Sequence, residues 1–190
     1  MSAKALRTTV SCLLILTILS CFCCCSIYSQ RQTPDSQYLD TRKEIMTSPR
    51  PANTDEFKVY AALIDIDAGD HVKTVACFAD GTTALYLSTG EAYEDLSAAN
   101  PSLVVTAQDF FEGISRHLKL APWQEKTSLS LPDTGKDQLY LLTDQGIHLL
   151  TIIPPKVSDS SEDIQTIYGL YMALYLQVMK QVEPSVSAAA

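Results

Sequence analysis

Two β-rich runs joined by Asp80-Gly81 constrain the fold of this chain more than any other feature. The runs are Val72–Ala79 and Thr82–Ser88. An Asp-Gly pair lets the backbone take positive φ at both positions of a two-residue loop, and the resulting twist matches the twist of the flanking strands. The sequence therefore predicts a β-hairpin with a two-residue turn.

The run before this hairpin predicts a central strand. Phe57–Ile66 is apolar on both alternations, whereas a strand with one solvated face alternates apolar and polar residues. Asp67-Ala68-Gly69-Asp70 then turns the chain. The three strands together are expected to form an antiparallel meander.

Two amphipathic helices and a second hairpin follow. Asn100-Pro101 is typical of a helix start, because Asn caps free N–H groups and Pro fits the first helical position. A second hairpin is predicted from Gln138–Thr143 and Ile147–Ile153, with a three-residue connection that ends in Gly146. Apolar residues at helical spacing from Ile164 to Val182 indicate a long last helix.

The predicted order β-β-β-α-β-β-α indicates the α+β class. We expect a five-stranded antiparallel sheet packed by the two helices, in one domain over residues 56–183, with a disordered tail at 184–190.

The N-terminus, residues 1–25, predicts a membrane address. Lys4 and Arg7 precede an apolar run, as in secretory signals, and this charge placement favours export of the domain. Ile18-Leu19-Ser20-Cys21 resembles the lipobox of bacterial lipoproteins, which implies lipid attachment at Cys21. The alternative is an uncleaved anchor, since the eighteen residues from Val10 to Ile27 are just long enough to span a membrane.

Residues 26–55 predict a flexible tether that lets the domain stand away from the bilayer. The stretch is rich in polar residues, and Pro34, Pro49 and Pro51 interrupt any periodic pattern. Within it, a short helical turn over Tyr38–Met46 is the one element expected.

The segment Asp80–Gly90, DGTTALYLSTG, together with the two-faced strand before it, resembles an uncharacterised bacterial domain family. Members of that family carry a DGTTSLYFSTGG-like hairpin, a following helix and a second hairpin. The resemblance covers Phe57 to Val182 and implies no activity. The architecture is similar to roadblock and profilin-like modules by analogy of fold.

Charge and cysteine content exclude several classes of function. Residues 56–190 carry a net charge of −10, which repels phosphate backbones and argues against nucleic-acid binding. Cys77 is the single cysteine of this stretch. It is expected to be a small buried hydrophobe, with no intramolecular disulfide and no cysteine-based metal site.

No local motif predicts catalysis, a metal or a cofactor. His71, His117 and His148 show no i, i+4 pairing. Asp65–Asp70 fails the EF-hand pattern, because the sixth and twelfth loop positions lack Gly and Glu. The expected structure there is a turn with exposed carboxylates.

The remaining functional hypothesis rests on a ridge of tyrosines on the last helix, Tyr168, Tyr171 and Tyr175. They predict either a partner-binding face or the packing of the helix on the sheet. The sequence favours a membrane-tethered, exported, non-catalytic domain that interacts with a protein of an envelope assembly. The alternatives are a ligand-binding or sensor domain, with a pocket between the sheet and Glu91–Pro101, and a hydrolase whose residues converge only in the fold.

Overall fold

The computed structural model describes residues 31–48, 58–118, 121–125 and 129–187, with the backbone alone for 183–187. One antiparallel sheet of seven strands runs in the order β4-β3-β2-β1-β6-β7-β5. The α+β class is confirmed. The strands are β1 (Val59–Asp67), β2 (Val72–Phe78), β3 (Thr83–Leu87), β4 (Ala92–Tyr93), β5 (Gln124–Glu125), β6 (Asp137–Thr143) and β7 (Gly146–Ile152).

The first strand is central, as its apolar pattern predicts. β1 pairs with β2 on one side and with β6 on the other. Every residue from Ala61 to Ile66 is buried. Both faces of this strand are therefore covered by other parts of the chain.

Two helices share one face of the sheet. They are α2 (Pro101–His117) and α3 (Glu162–Ser187), and a 3₁₀ turn (Pro154–Asp159) leads into α3. Asn100 accepts the N–H of Ser102 and Pro101 occupies the first turn, as the capping pattern predicts. Their apolar stripes and one face of β1, β2, β6 and β7 form the larger core.

A third helix covers the opposite face. α1 (Ser36–Thr47) buries Tyr38, Arg42 and Met46 against the sheet. The helical turn expected over Tyr38–Met46 is confirmed, but a flexible tether over residues 26–55 is wrong for Ser36–Thr47. Averaged along its length α1 is polar, so its docked residues do not stand out as an apolar stripe in the sequence.

The first hairpin forms with a different turn from the one predicted. Gly81 has a φ of +90°, whereas Asp80 does not take positive φ, so the two-residue loop with both residues left-handed is wrong. Gly81 N–H donates to Phe78 O at 2.8 Å, and Phe78 N–H donates to Thr82 O at 2.9 Å. This is a three-residue loop, a tight turn followed by one left-handed glycine.

The five-strand count is also wrong, because each edge carries an additional two-residue strand. β4 pairs with β3, and β5 pairs with β7. Two residues are too few to show a period, which is why both stretches read as irregular in the sequence. Short edge strands leave little unpaired backbone for a second chain to extend the sheet.

The second hairpin has a two-residue connection, Asp144-Gln145, where three residues were expected. Thr143 and Gly146 are already paired. The Thr143 hydroxyl accepts the N–H groups of Gln145 and Gly146 and donates to Gly146 O. A side chain thus closes the turn that the sequence assigned to glycine alone.

The helices on the shared face approach each other at Gly113. A Cβ on Gly113 would lie 2.6 Å from Leu170 Cδ1, so the absence of a side chain permits the contact between α2 and α3. The backbone of α3 continues to Ser187, four residues into the predicted tail.

We predict that Gly81→Ala destabilises the protein more than Gly69→Ala. Both glycines have φ near +90°, but a Cβ at Gly81 would lie 2.7 Å from Val104 Cγ1 on α2, whereas a Cβ at Gly69 meets nothing within 4 Å. Strain at positive φ costs about 1–2 kcal/mol at either site, and the crowding at Gly81 adds about 1–3 kcal/mol. Urea unfolding of the two variants measures the difference, and equal losses would contradict the contact with α2.

Candidate functional site

The most strongly connected polar group of the described chain is Arg42, and it lies under α1 against the second face of the sheet. Its guanidinium contacts the Asp65 carboxylate on β1, with Nε–Oδ2 at 3.0 Å and Nη2–Oδ2 at 2.5 Å. Arg42 is 3% exposed and Asp65 is 0% exposed. The expectation of exposed carboxylates over Asp65–Asp70 is therefore wrong for Asp65.

Further partners complete this buried network. Arg42 donates to Leu129 O and lies over the Tyr140 ring, with 5.1 Å between Cζ and the ring centroid. The Thr74 hydroxyl donates to Asp65 Oδ1 at 2.7 Å and lies 2.7 Å from Tyr38 Oη. A buried ion pair is tolerated only when hydrogen bonds satisfy its remaining atoms, and these contacts do so.

Burial and charge set the pKa values within the network. Burial lowers the pKa of Arg42, but the adjoining Asp65 carboxylate outweighs burial, and the net pKa is raised. Burial, reinforced by Asp65, raises the pKa of Tyr38. Arg42 thus stays charged and Tyr38 stays neutral, and their contacts hold α1 on the sheet.

A second polar cluster lies where the N-terminal segment meets the sheet. The Asp67 carboxylate at the end of β1 accepts hydrogen bonds from the Arg31 guanidinium and from the N–H groups of Gly69 and Gly135. Burial raises the pKa of Asp67, but these hydrogen bonds outweigh it, and the net pKa is lowered. An ionised Asp67 thus joins the N-terminal segment to two turns of the sheet.

Asp137 is a buried carboxyl beside this cluster, and it is 4% exposed. It accepts the Asp67 N–H at 3.1 Å and the Tyr171 hydroxyl at 2.7 Å. Burial raises the pKa of Asp137, although the hydrogen bond from Tyr171 opposes the rise. The pair joins α3 to β6 and explains why a tyrosine occupies a buried position of α3.

The histidines do not converge. His71 Nδ1 lies 2.6 Å from Asp70 Oδ1, and His117 Nδ1 lies 2.7 Å from Asp163 Oδ1. Among the contacts of the described residues, neither pair has a serine or cysteine side chain. No group of three or more potential metal-ligating residues occurs in the described ranges.

The tyrosines of α3 face the sheet. Tyr171 is completely buried, which agrees with packing of the helix on the sheet. Tyr168 is half-buried and packs edge-on against Tyr171, with ring centroids 5.1 Å apart. The half-buried Tyr175 packs against the core, 5.9 Å from Lys73 Nζ. Of the two interpretations, packing of the helix on the sheet explains these positions.

The opposite face of α3 is uncharged and exposed. From Ile164 to Met179 sixteen consecutive residues carry no charge. Gly169 and Ala173 are exposed on this face, and Leu176 is 53% exposed. We call Gln165, Thr166, Gly169, Ala173 and Leu176 the outer face of α3.

Other predicted positions have plain structural roles. Cys77 is buried and free, as expected, and burial raises the pKa of its thiol to about 12. In the segment proposed to border a pocket, Tyr93 and Leu96 pack against the core. Cys21 lies outside the described residues. None of the helices that the structure describes has the length and apolarity to cross a membrane.

The comparisons with known proteins returned no family model, no curated protein and no solved structure that matches this chain.

We predict that Arg42→Met is strongly destabilising and that Arg116→Met is not. Removing Arg42 leaves the Asp65 carboxylate buried without its cation, which costs about 3–5 kcal/mol. Arg116 forms an exposed i, i+4 pair with Glu112, 71% and 67% exposed, and such pairs contribute about 0.5 kcal/mol or less. Urea unfolding measures both losses, and the double variant Arg42→Met with Asp65→Asn should recover part of the larger one. Equal small losses would contradict the docking of α1.

A pH profile tests the carboxyl at the base of α3. The pKa of Asp137 is raised in the folded state, so the folded protein holds this proton more tightly than the unfolded chain does. Its contribution to stability is complete below the unfolded pKa of about 3.9 and is lost as pH rises through the folded pKa. The Asp137→Asn variant should show no such loss of stability with rising pH. In Tyr171→Phe the loss should occur at higher pH, because the hydrogen bond that lowers the pKa of Asp137 is absent. Urea unfolding at a series of pH values measures the difference between each variant and the parent. Parallel profiles would contradict the assignment.

Proposed function

We propose that this chain is a membrane-tethered, exported, non-catalytic domain that takes part in a protein assembly of the cell envelope. The single observation that carries the interaction hypothesis is the outer face of α3. Exposed protein surfaces usually present charged residues, and depletion of charge is a property of interface cores. In a stretch with a net charge of −10, the outer face of α3 has no charged residue from Gln165 to Leu176.

The non-catalytic part of the proposal is supported by where the titratable groups lie. Arg42, Asp65 and Tyr38 satisfy one another under α1, and Asp67 and Asp137 bind elements of the fold. A catalytic group needs reach to a substrate atom, whereas these groups have protein partners and little exposure. They fit a body whose polar interior serves stability.

The membrane part of the proposal rests on the N-terminal sequence. Acylation of Cys21 is preferred, and an uncleaved span over Val10–Ile27 is the alternative. We also propose that the chain is related to the uncharacterised bacterial family that Asp80–Gly90 resembles. The similarity to roadblock and profilin-like modules is likewise part of the proposal. An antiparallel sheet with helices on both faces is compatible with that analogy, which assigns no activity.

The test of the anchor is the intact mass of the protein extracted from the membrane fraction of its host. We expect a mass equal to Cys21–Ala190 plus the lipid. Cys21→Ser should leave the protein uncleaved and without lipid. An unprocessed mass in the parent would favour the membrane span, and absence of the protein from the fraction would overturn tethering.

The interaction surface is tested in the same membranes. We expect that Leu176→Arg abolishes a complex seen on native gels of the mild-detergent extract. Leu39→Arg is the matched control, because Leu39 is 42% exposed but lies on α1, on the other side of the sheet. Loss of the complex in both variants, or in neither, would contradict the outer face of α3 as the interface.

A further inference from the structure

We propose that one end of the sheet faces the membrane at short range, and that this end is set by the docking of residues 31–35. The proposal rests on the membrane tethering proposed above. We call this the entry end. It comprises the turn Ala68–His71, the turn Ser88–Gly90 and the turn Asp133–Lys136.

The N-terminal segment is fixed to the entry end before α1 begins. Gln32 N–H donates to Asp70 O at 2.7 Å, and Asp35 N–H donates to Ser88 O at 2.8 Å. Arg31 binds the Asp67 carboxylate and Pro132 O. Residues 31–35 are therefore part of the folded body, although the sequence predicts that the domain starts at residue 56.

The number of residues left for a linker is small. Ten Cα–Cα steps separate Cys21 from Arg31, which span at most about 35 Å. A flexible chain of this many residues spans about 16–19 Å on average. An anchor that ends at Ile27 leaves four steps. Residues 22–30 lie outside the described residues, and their number alone enters the estimate.

The charges of the entry end are compatible with a lipid surface. Carboxylates would be repelled by anionic headgroups, but here they have basic partners. Asp67 pairs with Arg31, and Asp133 pairs with Lys136, whose Nζ lies 2.8 Å from Asp133 Oδ2. Asp70 Oδ1 lies 2.6 Å from His71 Nδ1. Pairing lowers this repulsion, so the surface that we propose for this end is a phospholipid bilayer.

The opposite end carries the first hairpin turn and Asp144-Gln145. Thr134 lies before β6 and Gln145 lies after it, so they mark the two ends of this strand. Both are exposed turn residues. A seven-residue strand spans about 24 Å. This length exceeds the average reach of the linker, so the two positions report different distances from a bilayer.

The experiment uses the full acylated chain in vesicles of phosphatidylethanolamine and phosphatidylglycerol with a headgroup-linked fluorescence acceptor. A donor is placed at Thr134 or at Gln145 through a clickable unnatural amino acid, which avoids the cysteines. We expect clearly greater energy transfer from Thr134. Insertion of twenty Gly-Ser residues between Gln30 and Arg31 should remove the difference, and Gln32→Pro, which deletes the N–H donated to Asp70, should reduce it.

Vesicle flotation distinguishes a failure of the proposed orientation from a failure of the proposed tethering. Equal transfer from both positions, or greater transfer from Gln145, in protein that floats with the vesicles would overturn the orientation and leave the anchor intact. Protein that does not float would overturn the tethering itself, and the orientation with it.

Discussion

The contact between Arg42 and Asp65 is the interaction on which the arrangement of this domain depends. Asp65 lies in the central strand, between apolar residues, at a place where an unpaired carboxylate is costly to bury. Arg42 brings the compensating charge from a helix that precedes the sheet in the chain. The polar pair thus decides which segment covers the second face of the sheet and in which register it docks.

Docking of α1 gives a structural role to part of the polar stretch that precedes the sheet. A polar, proline-containing stretch after an apolar segment is typical of a spacer that separates a domain from a membrane. Here residues 31–47 of that stretch belong to the domain, with hydrogen bonds near the ends of β1, β2 and β3. The docked segment is what the proposed orientation at a membrane rests on.

The two sides of α3 differ in what they contact: one packs on the sheet and the other is exposed to solvent. Its tyrosines are directed to the sheet. Tyr171 donates a hydrogen bond to Asp137, and the Tyr168 ring packs against the Tyr171 ring. The side left to solvent carries small and uncharged residues. The apolar stripe of α3 is visible in the sequence, whereas the uncharged character of its other side becomes apparent only once the exposed residues are known.

The sequence by itself determined the meander, the second hairpin, both long helices and the central position of β1, because period, turn residues and caps are local properties. For Asp65 the sequence predicted an exposed carboxylate, because nothing local to it identifies a buried partner. The tertiary structure alone decided that Arg42 is that partner, that α1 covers the second face, and that Asp137 meets Tyr171. These pairs lie 23 and 34 residues apart in the chain, and such contacts depend on how the elements pack and not on any local pattern.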